Sequence, residues 1–239
     1  MQGYEEIFNK RGKSYQLAME KYPLARDAEF LAIVKRLDQK PTSIVLDLPA
    51  GGGYLEKYLN PDVTYLAYDF SGEFDDNHSS IKKCKESKVN IEDETIDEIV
   101  SLAALHHIVD REAFYSEMYR VLKPGGKLII GDALVGGKLD SFLNGFLNKW
   151  NSMGHAGRFI QDSDIEEISK AGFDVTSAKD DYMWNFENQE EAQDFFRLLF
   201  CLDLNPSNDE LMEALKELGT KKANYFSVDW GLAFLECKK

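Results

Sequence analysis

The 239-residue chain has little of what marks several large protein classes. Its three cysteines, Cys84, Cys201 and Cys237, are odd in number and far apart, with no C-x-x-C pair. That spacing indicates neither a zinc site nor a disulfide framework, and points to reduced thiols in a cytoplasmic protein. Positive charge is scarce: 28 Lys and Arg stand against 42 Asp and Glu, a net charge of −14. Phosphate backbones are bound by clustered Lys and Arg, so no nucleic-acid partner is expected. Met1 to Lys13 is polar and has no signal-peptide core. No apolar run approaches membrane-spanning length, so no membrane partner is expected either. Internal repeats, low-complexity tracts and a second domain boundary are also absent. What remains is a globular chain, 44% hydrophobic and 12% aromatic, near the upper size for one core.

One stretch organises the rest: Ile44-Val45-Leu46-Asp47-Leu48-Pro49-Ala50-Gly51-Gly52-Gly53-Tyr54-Leu55. A short apolar run reads as a buried parallel strand, followed by an acidic residue, a glycine turn and a helix through Leu55, Tyr58 and Leu59. Asn60-Pro61 stops that helix. Glycines let backbone approach a ligand closely, and a helix start offers free N–H groups. Asp47-Leu48-Pro49-Ala50-Gly51-Gly52-Gly53 resembles the D-x-G-x-G-x-G motif of class I S-adenosylmethionine-dependent methyltransferases. Pro49 departs from it, standing where the family usually has glycine; proline fixes φ and loses an N–H but keeps its carbonyl. A nicotinamide fingerprint is the rival, and Glu56 counts against it by standing where close helix–strand packing wants Gly or Ala. A plain β-turn-α joint is the third reading.

The resemblance continues downstream. A second strand, Thr64 to Tyr68, ends in Asp69, 22 residues after Asp47, where an acidic residue accepts the ribose hydroxyls. Phe70 then lies beside the adenine. A third strand is expected over 80–84, after a short linker through Gly72, Asp75, Asp76 and Asn77; Glu86 is the candidate for the adenine amino group. Val89 to Ser101 resembles the family's L-P-F-x-D-x-S-F-D-x-V-x-S run, with strand four at Ile96 to Leu102. Ala103-Ala104-Leu105-His106-His107-Ile108 resembles the segment that caps it, and puts Ala103 on the cofactor side. Adjacent histidines do not face one way on a helix or strand, so His106 and His107 are not expected to pair on a metal. Arg120-Val121-Leu122-Lys123-Pro124-Gly125-Gly126 resembles the family's helix end and turn into strand five, which delivers Asp132 to the ligand edge.

The flanking segments carry fewer signals. Residues 1–38 read as a helical cap broken at Pro23, and the resemblance places such a segment over the cofactor, with Tyr15, Met19 and Arg26 as candidates to face it. Residues 136–161 open with Gly136-Gly137 and an apolar helix carrying Asn144, Asn148 and Asn151. They end in a loop with His155 and Arg158. Next to the ligand edge, that loop is the candidate acceptor site. Ser163 with Glu166 reads as a capping box for a helix that stops at Gly172. Strand six is expected over 173–179 and the last strand over 226–234. Two helices within 187–219 are an insertion between them, a lid or a dimer surface.

The expected fold is a doubly wound, Rossmann-like, seven-stranded and mostly parallel sheet, its last strand antiparallel, with helices on both faces. The chain reads as one domain over 1–239, with a cofactor-binding core at 41–135. The resemblance implies methyl transfer from S-adenosylmethionine to a small organic acceptor, on O or N, leaving S-adenosylhomocysteine. A cofactor-binding protein without that activity and a nicotinamide oxidoreductase are the alternatives. Cofactor residues are Tyr15, Asp47, Pro49, Ala50, Gly51, Gly53, Asp69, Phe70, Glu86 and Ala103. His155, then His107, are candidate bases, with Asp132 orienting either; Arg158, Asn148 and Asn151 are candidates for acceptor binding. No metal is expected, and the chain is expected to act as a monomer or homodimer.

Overall fold

Val45 and Leu46 have no exposed surface, and each joins a different hydrophobic core. Successive side chains of a strand point to opposite faces, so a strand apolar at every position is covered on both sides. A computed structural model describes residues 3–74 and 80–239. Val45 lies in β1 (Ile44–Asp47), the middle of the sheet. The other strands are β2 (Thr64–Asp69), β3 (Ile81–Lys83), β4 (Ile96–Leu102), β5 (Leu122–Asp132), β6 (Asp174–Phe186), β7 (Thr220–Lys222) and β8 (Phe226–Lys238). Their order is β3-β2-β1-β4-β5-β8-β6, with the short β7 beside β8. Strands β1 to β5 pair in parallel; β8 runs antiparallel to β5, β6 and β7. The seven-stranded expectation holds for that path, and β7 adds an eighth strand.

The chain builds outward from β1 to β3, then returns to start β4 on the other side of β1. Ligands of open α/β sheets bind at such a reversal, outside the carboxyl ends of the strands. Asp47, Leu102 and Asp132 end three neighbouring strands there.

Helices cover both faces. The N-terminal cap forms α1 (Tyr4–Lys21) and α2 (Asp27–Val34), interrupted around Pro23. The next helix, α3 (Arg111–Val121), is capped by Asp110, whose side chain accepts from the Ala113 N–H at 3.0 Å. Its Phe114, Met118 and Val121 are fully buried against the sheet. Residues 138–150 form α4 (Lys138–Asp140), a π-helical stretch (Ser141–Leu147) and α5 (Asn148–Trp150). Beyond them lie α6 (Asp162–Lys170), α7 (Gln189–Leu199) and α8 (Asn208–Leu218). Phe195 and Phe196 of α7 pack on Trp184, so this helix pair's apolar stripe is core. Ser14 of α1 donates to the Leu198 carbonyl at 2.7 Å, which ties the pair to the cap.

Four local readings change. The helix expected after the glycine turn is a single 3-10 turn, Glu56–Tyr58, because Pro61 forces the preceding chain to extend. Pro124-Gly125-Gly126 lies inside β5 as a register shift against β4, and Gly125 takes φ +80°. The capping box of α6 uses Gln161 and Asp164 instead of Ser163 and Glu166, since Asp164 is drawn inward by Arg111. Strand six runs on to Phe186, pairing along its whole length with β8. Of the linker after β2, Asp75, Asp76 and Asn77 lie outside the described residues. No described helix is long and apolar enough to cross a membrane.

Candidate active site

The turn after β1 is set by backbone. Gly51 and Gly53 take φ of +54° and +73°, a region that glycine enters without steric cost. Pro49 does not sit at positive φ, so its ring is compatible with the turn. The Ala50 N–H donates to the Tyr68 carbonyl and the Gly51 N–H to Asp69 Oδ2, both at 2.8 Å. Asp69 Oδ1 accepts from the Ser71 N–H at 2.7 Å, and Oδ2 also accepts from the Tyr4 hydroxyl at 3.0 Å. Asp69 has no exposed surface. Burial raises its pKa to about 7 against the pull of these hydrogen bonds. Burial likewise raises Asp47 to about 7, although the Tyr65 hydroxyl donates to it at 2.8 Å.

The end of β4 is shaped by one carboxylate. Asp132 Oδ2 accepts from the His106 N–H at 2.9 Å, and Oδ1 accepts from His106 Nδ1 at 2.8 Å. This clamps Leu105–His107 into a 3-10 turn. The tight turn brings the His106 and His107 rings to 3.9 Å between centroids. The expectation that adjacent histidines diverge is therefore wrong here, because it assumed regular helix or strand.

The loop after α5 brings a third imidazole. Asn144 donates its amide to Asp140 and to the Gly157 carbonyl, so its Oδ1 is left to accept from His155 Nδ1 at 3.1 Å. The His155 ring lies 5.4 Å from His106 and 5.3 Å from His107. All three histidines are buried. Burial, with the neighbouring imidazoles and Arg11 adding to it, pushes His107 and His155 well below the usual histidine range, so both are neutral at pH 7.

A single cavity at the strand ends connects these parts. Tyr15, Asp47, Pro49, Ala50 and Gly51 line one end, and Ala103, His107, Asp132 and His155 the other. Arg26 also lines it, held by Glu29 at 2.6 Å and donating to the Tyr15 hydroxyl at 2.7 Å. Helix α1 roofs the cavity with Tyr4, Phe8 and Arg11.

Several expected residues lie elsewhere. Gly53 faces Tyr65 and Ile81, and Phe70 is packed edge-on against Tyr4. Glu86 accepts from the Val109 N–H at 3.3 Å, away from the cavity. Arg158 turns to Glu167 at 2.5 Å and Asp164 at 3.2 Å, so its charge is committed outside. Asn148 accepts from the His155 N–H, and Asn151 donates to the Phe200 and Cys201 carbonyls; both amides brace the loop.

A second cation, Arg11, faces the cavity from α1. It donates to Asn151 Oδ1 and to the Gly154 carbonyl, while its Nε has no partner among the described residues. Its position, one turn beyond Phe8 on an amphipathic helix, is the only local signal for it. Tyr4 and His106 also line the cavity, and the Leu-His-His triplet at a strand end is the local signal for His106.

Residues 46–130 match the family described as "Methyltransferase domain". The chain is 35% identical over 111 residues to phosphoethanolamine N-methyltransferase 3 of Arabidopsis thaliana, covering 41% of this chain and 23% of that protein. It is 32% identical over 132 residues to demethylmenaquinone methyltransferase of Corynebacterium urealyticum, covering 53% and 57%. The chain thus spans less than two thirds of either relative. Among solved structures, an S-adenosylmethionine-dependent methyltransferase of Thermotoga maritima aligns with a TM-score of 0.63 at 17% identity, covering 98% of this chain and 99% of that one. Phosphoethanolamine N-methyltransferase 2 of Haemonchus contortus, in complex with S-adenosyl-L-methionine, aligns with 0.57 at 15% identity, covering 100% and 60%. Residues 46–130 thus match a methyltransferase family, and the sheet that carries them shares its fold with these solved methyltransferase structures.

Proposed function

We propose that the chain transfers a methyl group from S-adenosylmethionine to a small organic acceptor. One observation carries this reading: the glycine turn after β1 and three buried imidazoles line the same cavity at the sheet's reversal point. The cofactor supplies an electrophilic methyl on a sulfonium. The turn at Ala50 and Gly51 holds its methionine portion, and Asp69 accepts its ribose hydroxyls. The Tyr4 hydroxyl donates to that carboxylate, as a ribose hydroxyl would.

The acceptor lies at the histidine end. Positioning its nucleophile in line with the methyl supplies much of the rate, and a neutral imidazole at His107 or His155 takes its proton. Asp132 orients this end through His106. The curated relatives act on a phosphobase and on a quinone, by their names. Here the histidine end of the cavity presents Arg11, while its carboxylate, Asp132, is committed to His106. That favours a neutral or acidic acceptor, on O or N, over a bare cationic amine.

Calorimetry with S-adenosylhomocysteine, followed by mass spectrometry of a metabolite extract incubated with methyl-labelled S-adenosylmethionine, tests the reading. Binding plus one labelled small product is expected. Binding without any labelled product would favour a cofactor-binding protein, and binding of NAD(H) alone a nicotinamide enzyme.

A further inference from the structure

His106, His107 and His155 present one nitrogen each within 4.8 Å of one another. We propose that the three form a binding site for one divalent transition-metal ion of the zinc class. It rests on the acceptor-side reading above, and it moves the activation of the acceptor from an imidazole base to a metal.

The orientation of the rings carries the inference. His106 donates Nδ1–H to Asp132, and His155 donates Nδ1–H to Asn144, whose amide is locked by two other acceptors. A ring whose Nδ1 carries the proton has its lone pair on Nε2. Metal-binding histidines are held in this way, by an oxygen acceptor on the outer nitrogen that fixes tautomer and direction. The His107 backbone N–H donates to the Ala104 carbonyl, while its ring has no hydrogen-bond partner among the described residues and can offer a lone pair. Base catalysis needs one imidazole; it gives no reason for three to converge with two of them braced by separate acceptors.

The dimensions agree. Three imidazoles on one ion, at a metal–nitrogen distance of about 2.0–2.1 Å, bring ring centroids about 5 Å apart. The His155 ring stands 5.4 and 5.3 Å from the other two. The His106–His107 separation of 3.9 Å needs to open by about 1 Å. Three protein nitrogens with a fourth position facing a cavity is the arrangement of catalytic zinc, and imidazole suits zinc among the common ions. Such an ion lowers the pKa of a heteroatom bound to it. The acceptor's hydroxyl proton then leaves to solvent, and the freed pair on oxygen bonds the methyl carbon. The carbon–sulfur bond breaks with its pair going to sulfur, leaving S-adenosylhomocysteine. Arg11 is the opposing feature: a cation beside the cluster that an anion would equally suit.

The test is a titration of the tag-free, chelator-stripped full chain with Co²⁺, read by visible absorption and by metal content after dialysis. One ion per chain is expected, with the strong bands of a four- or five-coordinate nitrogen site, displaced by Zn²⁺. Asn144→Leu should weaken binding about 10–100-fold, and His155→Ala by more. S-adenosylhomocysteine titration of each variant checks that the sheet is intact. The proposal is overturned if wild type and His155→Ala bind Co²⁺ alike, or if the bands are those of the free ion. It is also overturned if inorganic phosphate, and not Co²⁺, binds in a way that His155→Ala abolishes. Co²⁺ binding without S-adenosylhomocysteine binding would sink the proposed function and leave the metal site standing.

Discussion

On the floor of the cavity, Ala50, Gly51 and Ala103 are fixed by main-chain N–H groups that donate to Tyr68, Asp69 and Gly131. On its roof and far wall, Tyr4, Arg11 and His155 are fixed through their own side chains, by Asp69, by Asn151 and the Gly154 carbonyl, and by Asn144 respectively. Backbone hydrogen bonds between parallel strands tolerate many sequences, so a floor of this kind is shared by proteins with different substrates. Side chains that meet across 140 residues of sequence, as Arg11 and Asn151 do, are particular to one chain. In the proposed function, the floor binds what the fold has in common and the far wall decides what receives the methyl group. The two meet at Asp69, where the Tyr4 hydroxyl of the roof closes over the floor.

Changes at the two ends should separate. The largest effect is expected at the far wall: His155→Ala lowers turnover by about 10²–10⁴ while S-adenosylhomocysteine affinity stays within a factor of two or so. The deficit should shrink as pH rises and the acceptor ionises unaided. A collapse of cofactor affinity in this variant would mean that the loop closes over the cofactor, and the division between floor and wall would be gone.

Next is Gly51→Val on the floor. Position 51 has φ +54°, and a Cβ there would sit 3.6 Å from the Tyr15 ring. A branched side chain at positive φ is strained, and it fills the space the ligand's methionine part needs. Cofactor affinity should fall about 100-fold or more, by calorimetry, with the far-ultraviolet dichroism unchanged. Unchanged affinity in a folded variant would put the cofactor elsewhere.

A pH series sharpens the role of Asp69. Burial keeps its carboxyl protonated up to about pH 7 in the free protein, and ribose hydroxyls donate best to the ionised form. A proton must leave on binding below that pH, so affinity should rise by up to about tenfold per pH unit as pH approaches 7, then level off. Affinity that falls over the same range would give the carboxylate the opposite role.

The smallest effect is expected at Arg158. Its ion pairs with Asp164 and Glu167 are partly exposed and outside the cavity. Arg158→Ala should cost no more than about 1 kcal/mol of stability and leave the acceptor's KM unchanged. A raised KM would restore Arg158 to the acceptor site.

The sequence was a better guide to the floor than to the wall, for a physical reason. Val45, Leu46 and the glycines specify strand and turn from within a dozen residues, so the strand order and the turn were legible. Arg158 next to His155 suggested a joint role. Yet the nearby acids of α6, Asp164 and Glu167, claim the arginine. Arg11 looked like one charge among many on a polar helix, and only packing of α1 on the loop at Asn151 and Gly154 brings it inside. His106 and His107 were judged by the geometry of regular elements, and the Asp132 clamp that overrides it comes from a different strand.

Titration of S-adenosylhomocysteine into wild type and Asp69→Ala tests the cofactor floor most directly. Losing a charge-assisted acceptor for two ribose hydroxyls costs about 1.5–3 kcal/mol. Micromolar binding by the wild type and an affinity about tenfold to a hundredfold lower in the variant are predicted. 5′-Methylthioadenosine, which keeps the ribose and lacks the amino acid, should show the same ratio. Equal affinity in the two proteins, or no binding by either, would contradict a cofactor site at the ends of β1 and β2.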